Sequence, residues 1–147
     1  MPSIEAHAEL ARRNQAVLDL LLPLCDAHSE WVTTVAFYKA VHIAEAVFKH
    51  EDGSDSTDHW DRNQRLRLDH SETWKLYSSL WMASRVARYL ECGDPGTRHH
   101  QSYSTFSRHR TPSQVRNLVS HNLRKIEQWA ENTIDGGILF TVPQATS

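Results

Sequence analysis

The sequence is poor in cysteine, proline and glycine, and this scarcity excludes several classes of protein. Its 147 residues include two cysteines, five prolines and five glycines. Two cysteines, Cys25 and Cys92, are too few for the disulfide framework of a small secreted protein, and their spacing matches no zinc motif. The low proline and glycine content argues against a collagen-like chain and against an unstructured linker.

Long apolar runs and an excess of one charge are also missing. The longest apolar stretches, such as LDLLLPLC, fall short of the about 20 residues that a membrane-spanning helix requires. The N-terminal segment MPSIEAHAELARR has no apolar core of the secretory kind. A net charge of −2 excludes a basic surface over the whole molecule, while a local basic patch stays open. We therefore expect a soluble cytoplasmic protein without a membrane partner.

Helical periodicity dominates what is present, and it predicts one all-α domain over residues 1–134. The predicted helices have apolar residues at i, i+3 and i+4 and cover residues 4–25, 29–49, 59–68, 71–91 and 112–131. Pro23 should end the first of them near Leu21 or kink it there. No segment shows the sustained alternation of a strand. We expect a four- to five-helix bundle with an irregular basic loop at 94–111 and a C-terminal tail at 135–147.

The second predicted helix is apolar over most of its circumference, which places it at the centre of the bundle. Tyr38 and His42 lie on its narrow polar stripe and need hydrogen-bond partners, because an unpaired buried group costs roughly 1–3 kcal/mol. The candidate partners are basic residues of the third and fourth helices, namely His59, Arg62, Arg85 and Arg88. Together these residues form either a phosphate- or nucleotide-binding site or a structural network that fixes helix register.

The loop at 94–111 is locally basic and also carries aromatic side chains. Its cations and aromatic residues are interleaved, and they include Arg98, Tyr103, Phe106, Arg108 and Arg110. Such a composition suits single-stranded nucleic acid, because cations contact phosphates while aromatic rings stack on bases. The alternative is a solvated loop without a ligand.

The last predicted helix contains an Arg-x4-His motif at Arg116 and His121, with Asn117 directly after the arginine. Metal-free RNA cleavage needs a general base and a phosphate-binding cation, and His and Arg supply these. Residues five apart on an ideal α-helix point about 140° apart, so one active centre would need two protomers. The same spacing occurs at Arg65 and His70, and a solvated face without catalytic function is the plain alternative.

A metal site has little support in the sequence. His42 and His59, with His99 or His100, could gather inside a helical bundle. No H-x3-H or E-x-x-H spacing is present, however, and such pairs are typical of helical metal sites. We therefore expect no metal and no cofactor.

Three motifs, taken in order, resemble the HEPN (higher eukaryotes and prokaryotes nucleotide-binding) superfamily. They are FYKAVHIAEAVF, STDHWDRNQRLR and YSSLWMASRVARYL, within a similarity over about residues 30–130. The resemblance implies a helical bundle, usually a homodimer. Many members are ribonucleases of toxin–antitoxin, phage-defence or CRISPR-associated systems, and their catalytic motif maps onto Arg116, Asn117 and His121. The Tyr–His branch that this chain most resembles often lacks the catalytic pair.

Two functions are expected from these features. The first is a metal-independent endoribonuclease that acts as a dimer, with His121 as general acid–base and Arg116 holding the scissile phosphate. The second is a non-catalytic HEPN module that binds RNA, a nucleotide or a protein partner encoded in the same operon, such as a nucleotidyltransferase. In the second case the ligand or structural network would consist of Tyr38, His42, His59 and Arg62.

Overall fold

The structure is a computed structural model and describes residues 2–93, 100–134 and 138–141. It confirms the all-α class, since the only sheet among the described residues is one pair of short strands. In chain order the elements are helix α1 (Ile4–Leu21), a 3-10 turn (Leu22–Leu24), helices α2 (Cys25–Asp52), α3 (His59–Asp69) and α4 (Ser71–Tyr89), strands β1 (Glu91–Gly93) and β2 (His100–Ser102), helices α5 (Phe106–His109) and α6 (Pro112–Asn117), a π-helical turn (Leu118–Leu123) and helix α7 (Arg124–Thr133).

Helix α2 is the centre of the bundle, as its mostly apolar circumference predicts. It packs against α1, α4, α6 and α7. Its core side chains, including Val32, Phe37, Ile43 and Val47, are buried. Because each fully buried side chain of this kind contributes about 1.5–3 kcal/mol, α2 supplies a large share of the stabilising burial. The two cysteines are buried as well, Cys25 at the start of α2 and Cys92 in β1.

The junction between α1 and α2 differs from its predicted form. Helix α1 ends at Leu21, as Pro23 predicts, and Pro23 itself lies in the 3-10 turn that follows. Helix α2 then begins at Cys25, four residues before the predicted start, and His28 interrupts it with φ −135° and ψ 40°. The predicted boundary at Ser29 therefore coincides with a kink inside the helix. A serine such as Ser29 can cap a helix and can also lie beside a bend within one. The sequence alone therefore does not distinguish a helix start from a kink.

The end of α4 and residues 100–111 contain more regular structure than the sequence indicates. Helix α4 stops at Tyr89, two residues before its predicted end, and Leu90 adopts φ 57° in the capping position that glycine usually occupies. Strand β1 then pairs antiparallel with β2. The loop at 94–111 also holds α5, whose Phe106 is buried. Strands of three residues are too short for an alternating pattern to be visible.

The last predicted helix is divided by the π-helical turn. Thr111 and Gln114 form the capping box at its start. The predicted apolar stripe contained Val119, but the structure buries Leu118 and Leu123 and leaves Val119 half-buried. Five residues separate the two leucines, a spacing that a π turn with i→i+5 hydrogen bonds places on one face. The π turn therefore keeps both leucines in the core.

Part of the predicted tail is packed against α1. Phe140 is fully buried, and the Leu139 carbonyl accepts a hydrogen bond of 2.6 Å from Arg12 Nη1. Residues 135–137 and 142–147 lie outside the described residues. Throughout the part of the chain that is described, no helix combines the length and the apolar character needed to cross a bilayer.

Candidate functional site

Arg88 lies at the centre of a group of basic and aromatic side chains on the surface between α2, α3 and α4. Its Nη1 donates to the Tyr38 hydroxyl at 3.2 Å, and its Nε donates to the Ser84 carbonyl at 3.2 Å. The guanidinium carbon also lies 5.3 Å from the centre of the Tyr89 ring. All of these partners are neutral, so they hold the guanidinium in place without cancelling its charge.

Arg85 adds a second cation beside the first. Its guanidinium carbon lies 4.8 Å from the centre of the Tyr89 ring. Within residues 2–93, 100–134 and 138–141, neither Arg85 nor Arg88 forms an ion pair with a carboxylate. We refer to Tyr38, His59, Arg85, Arg88 and Tyr89 as the arginine cluster. Two fixed cations without a counter-charge favour the binding of an anion.

His59 is the neutral donor of the arginine cluster. Arg62 Nη1 lies 2.8 Å from His59 Nδ1, and because arginine can only donate, Nδ1 must accept and the ring proton is assigned to Nε2. Burial, followed by the charges of Arg62, Arg88 and Arg85, lowers the pKa of His59 below its ordinary value of 6.5. The imidazole is therefore neutral at neutral pH and offers an N–H.

Arg62 lies behind His59 and supports it. Its Nε donates to Glu45 Oε1 at 2.8 Å, and both side chains are buried. Glu45 Oε2 also accepts from the Ser56 backbone N–H at 2.8 Å. Near this ion pair, burial raises the pKa of the Tyr77 hydroxyl to about 12, so the phenol stays neutral. The sequence grouped Arg62 with the ligand-binding residues, whereas the structure places it in a buried pair that positions His59.

An open groove of about 570 Å³ adjoins the arginine cluster. Its lining consists of Glu30, Trp31, Thr34, Tyr38, Ala87 and Arg88. Trp31 is 63% exposed and lies two helical turns before Tyr38 on the same face of α2. An exposed indole beside a fixed arginine provides a stacking surface for a flat ring. Our reading of the sequence missed Trp31, although its seven-residue distance from Tyr38 was a usable signal.

His42 belongs to a different cluster from Tyr38. Its Nδ1 lies 3.2 Å from the Nδ1 of His7, and the Nε2 of His7 lies 3.1 Å from Asp55 Oδ1. Burial, then the proximity of His7 and Arg62, lowers the pKa of His42 to about 4. The sequence grouped His42 with the arginines of α4. Its contact is instead with His7 of α1, which in turn reaches Asp55 in the loop between α2 and α3, and no local spacing pointed to His7 or Asp55.

Arg116 and His121 lie on the surface near the start of α2. Arg116 Nη2 donates to Asp26 Oδ1 at 2.6 Å, and His121 and Asn117 are exposed. Since the π turn contains His121, the angle of 140° expected for an unbroken α-helix is not the angle between these two side chains.

The second Arg-x4-His match has a structural explanation. Arg65 Nη2 pairs with Asp52 Oδ2 at 2.7 Å, and His70 Nε2 lies 2.7 Å from Glu51 Oε1. The Arg65 guanidinium also covers the ring of Phe48. These contacts fix the end of α2 against α3, so both residues already have partners within the fold.

The basic loop offers fewer binding groups than its composition indicates. Phe106 is in the core, and the half-buried Tyr103 packs edge-on against His109, with ring centres 4.8 Å apart. Neither ring is exposed for stacking. Arg108 is exposed, Arg110 is half-buried, and Arg98 lies outside the described residues.

Comparison of the chain with protein-family models, with curated proteins and with solved structures finds no match in any of the three. A functional proposal therefore depends on the geometry of this chain. Among the described residues, the arginine cluster and its groove combine two unpaired cations with an exposed aromatic ring.

Proposed function

We propose that this protein is a HEPN-like module that binds a phosphate-bearing ligand, either a nucleotide or single-stranded RNA, at the arginine cluster. One observation carries the proposal: Arg85 and Arg88 are held together by neutral groups and have no carboxylate partner among the described residues. Such fixed guanidinium groups suit phosphate oxygens, which they bind through two parallel N–H donors. The Nε2–H of His59 adds a neutral donor beside them.

The adjoining groove supplies an aromatic surface on which a base can stack. The exposed ring of Trp31 lies in the same groove as Tyr38 and Arg88, so one ligand can contact the groove and the cations together. Stacking of a base on an aromatic ring contributes about 1–3 kcal/mol, whatever the base. We therefore expect binding that depends on both a phosphate and a base and that selects weakly among sequences.

The test compares three ligands on matched variants. A mononucleotide, a short single-stranded RNA and inorganic phosphate are titrated into the full chain by calorimetry at two salt concentrations. We expect the double variant Arg85→Gln/Arg88→Gln to bind nucleotide and RNA at least about tenfold more weakly, since charge-assisted hydrogen bonds contribute about 1.5–3 kcal/mol each. Trp31→Ala should weaken the two base-containing ligands and leave inorganic phosphate unchanged.

Arg67→Gln is the matched control, because Arg67 is an exposed arginine of α3 whose side chain contacts only Gln64 among the described residues. It should change the affinity less than twofold. Equal loss in Arg67→Gln and in the double variant would mean that only general charge is measured and would refute the site. RNA binding that is tighter than nucleotide binding at both salt concentrations, and that is lost in Trp31→Ala and in the double variant, would identify RNA as the ligand.

A second candidate function, metal-independent endoribonuclease activity at Arg116 and His121, is favoured by the π turn alone. This turn contains His121, and π turns often occur at functional sites. RNA cleavage in the presence of EDTA should then be lost in both Arg116→Ala and His121→Ala. Mixing the two inactive variants tests the geometry: activity returns only if the site combines residues of two protomers. No cleavage by the wild type would remove this candidate.

A further inference from the structure

A buried cluster of His7, His42, Glu45 and Asp55 contains none of the arginine-cluster residues. His7 is 5% exposed and Glu45 is 4% exposed. One potential ligand atom from each of His7, Glu45 and Asp55 lies within 4.8 Å of the other two, and His42 joins this group through its contact with His7. Imidazole and carboxylate groups are the ligands that zinc and related divalent metals use in proteins. We refer to these four residues as the histidine–carboxylate cluster.

The two imidazoles of this cluster have an arrangement that suits a shared metal ion. Their Nδ1 atoms face each other at 3.2 Å. With zinc–nitrogen bonds of about 2.0–2.1 Å, two nitrogens on a tetrahedral zinc ion are separated by about 3.3 Å. The separation in the protein is therefore close to the one that coordination requires, and small rotations of the rings make room for the ion.

Asp55 prepares His7 for this role. Its Oδ1 lies 3.1 Å from His7 Nε2, so the carboxylate accepts the ring proton and leaves a lone pair on Nδ1, the atom that faces His42. A carboxylate that accepts from the outer nitrogen of a metal-bound histidine is a common support in zinc sites, where it fixes the tautomer and raises ligand basicity.

Glu45 is the carboxylate available as an oxygen ligand, since one of its oxygens lies within 4.8 Å of a His7 ring nitrogen. Its two oxygens accept from Arg62 Nε and from the Ser56 N–H, and each carboxylate oxygen has a second lone pair. Coordination therefore does not require Glu45 to release Arg62. Two carboxylates and one guanidinium leave a net charge of −1 in the cluster, which a divalent cation offsets.

We propose that His7, His42 and Glu45 bind one divalent transition-metal ion of the zinc class, with Asp55 as the positioning residue for His7. The ligands come from α1 and α2, and Asp55 comes from the loop that follows α2. Since 35 positions separate His7 from His42, no local spacing of the H-x3-H kind reveals the site. The ion fastens α1 and this loop to the central helix.

The first experiment uses Co²⁺ as a spectroscopic probe on the full chain after EDTA treatment and dialysis. We expect one equivalent to produce the intense visible absorption of four-coordinate Co²⁺ and Zn²⁺ to displace it. His7→Gln and His42→Gln should abolish this band, and Asp55→Asn should weaken the affinity by about 10–100-fold. His28→Gln and His121→Gln, which alter exposed histidines, are the controls and should retain it.

A second measurement keeps the test decisive if the histidine variants fail to fold. X-ray absorption of the wild-type chain with one equivalent of Zn²⁺ should show two imidazole ligands and a first shell of nitrogen and oxygen. Absence of the four-coordinate Co²⁺ band, its persistence in both His7→Gln and His42→Gln, or a zinc shell with fewer than two imidazoles would overturn the proposal. None of these readouts depends on nucleotide or RNA binding at the arginine cluster.

Discussion

Lys39 shows how a single residue can determine the stability of the core. It is fully buried on α2, and its ammonium group donates to Glu127 of α7 and to Gln15 of α1 at 2.6 Å. Burial lowers the pKa of Lys39. The charged form therefore depends on its carboxylate partner. A buried lysine is not predictable from the apolar pattern of α2, because its partners Gln15 and Glu127 lie on other helices.

We expect Glu127→Gln to destabilise the protein more than Lys39→Met. The first change leaves a buried cation without a counter-charge, which costs about 3–5 kcal/mol. The second leaves Glu127 paired with Arg124, whose Nη1 lies 2.8 Å away. Denaturant unfolding measures the difference, with Glu131→Gln as a control on the same helix. A larger loss in Lys39→Met would contradict this account of the pair.

His59 makes stability depend on pH in a defined direction. The pKa of His59 is lowered in the folded state. As the pH falls through 6.5, the His59 imidazole of the unfolded chain therefore takes up a proton more readily than that of the folded chain. The free energy of unfolding should therefore decrease from about pH 7 downward. In His59→Gln, whose amide oxygen can still accept from Arg62, this decrease should be smaller. Unfolding curves at several pH values measure it, and His28→Gln should keep the wild-type slope.

At the scale of elements, caps and apolar periodicity predict where helices form. They do not predict local changes of backbone geometry within a helix, such as the π turn. Ser3 accepts from the Ala6 N–H and Thr111 from the Gln114 N–H, and both helices begin where these residues predict. The π turn was not predicted, because an apolar pattern read at 3.6 residues per turn assumes an unbroken α-helix. The fit of α2 at the centre was predictable from its composition, whereas the pairing of His42 with His7 depends on how α1 docks.

The π turn allows a direct comparison of the two apolar patterns. We expect Leu118→Ala to cost about 2–5 kcal/mol, because Leu118 is buried and its removal leaves a cavity. Val119→Ala should cost less, since Val119 is only half-buried. The unbroken helix that the sequence predicts gives the opposite order. Denaturation midpoints of the two variants decide between them.

At the scale of the whole molecule, the segment at 138–141 completes the core from a distance in sequence. Phe140 is fully buried and Leu139 is largely exposed, although its carbonyl holds Arg12. We expect Phe140→Ala to cost about 3–5 kcal/mol and Leu139→Ala much less. Melting temperatures of the two variants test this. Equal melting temperatures for wild type and Phe140→Ala would show that the segment does not stabilise the bundle.

Because both cysteines are buried, the rates at which they react with a reagent report local opening of the native protein. Burial raises the pKa of the Cys25 thiol, and Cys92 is covered in β1, so a thiol-specific alkylating reagent should modify the native protein slowly. Modification then requires a transient opening around the cysteine concerned. Mass spectrometry of each cysteine peptide over time would give separate opening rates for the α2–α6 junction and for the β1–β2 pair, without any introduced cysteine.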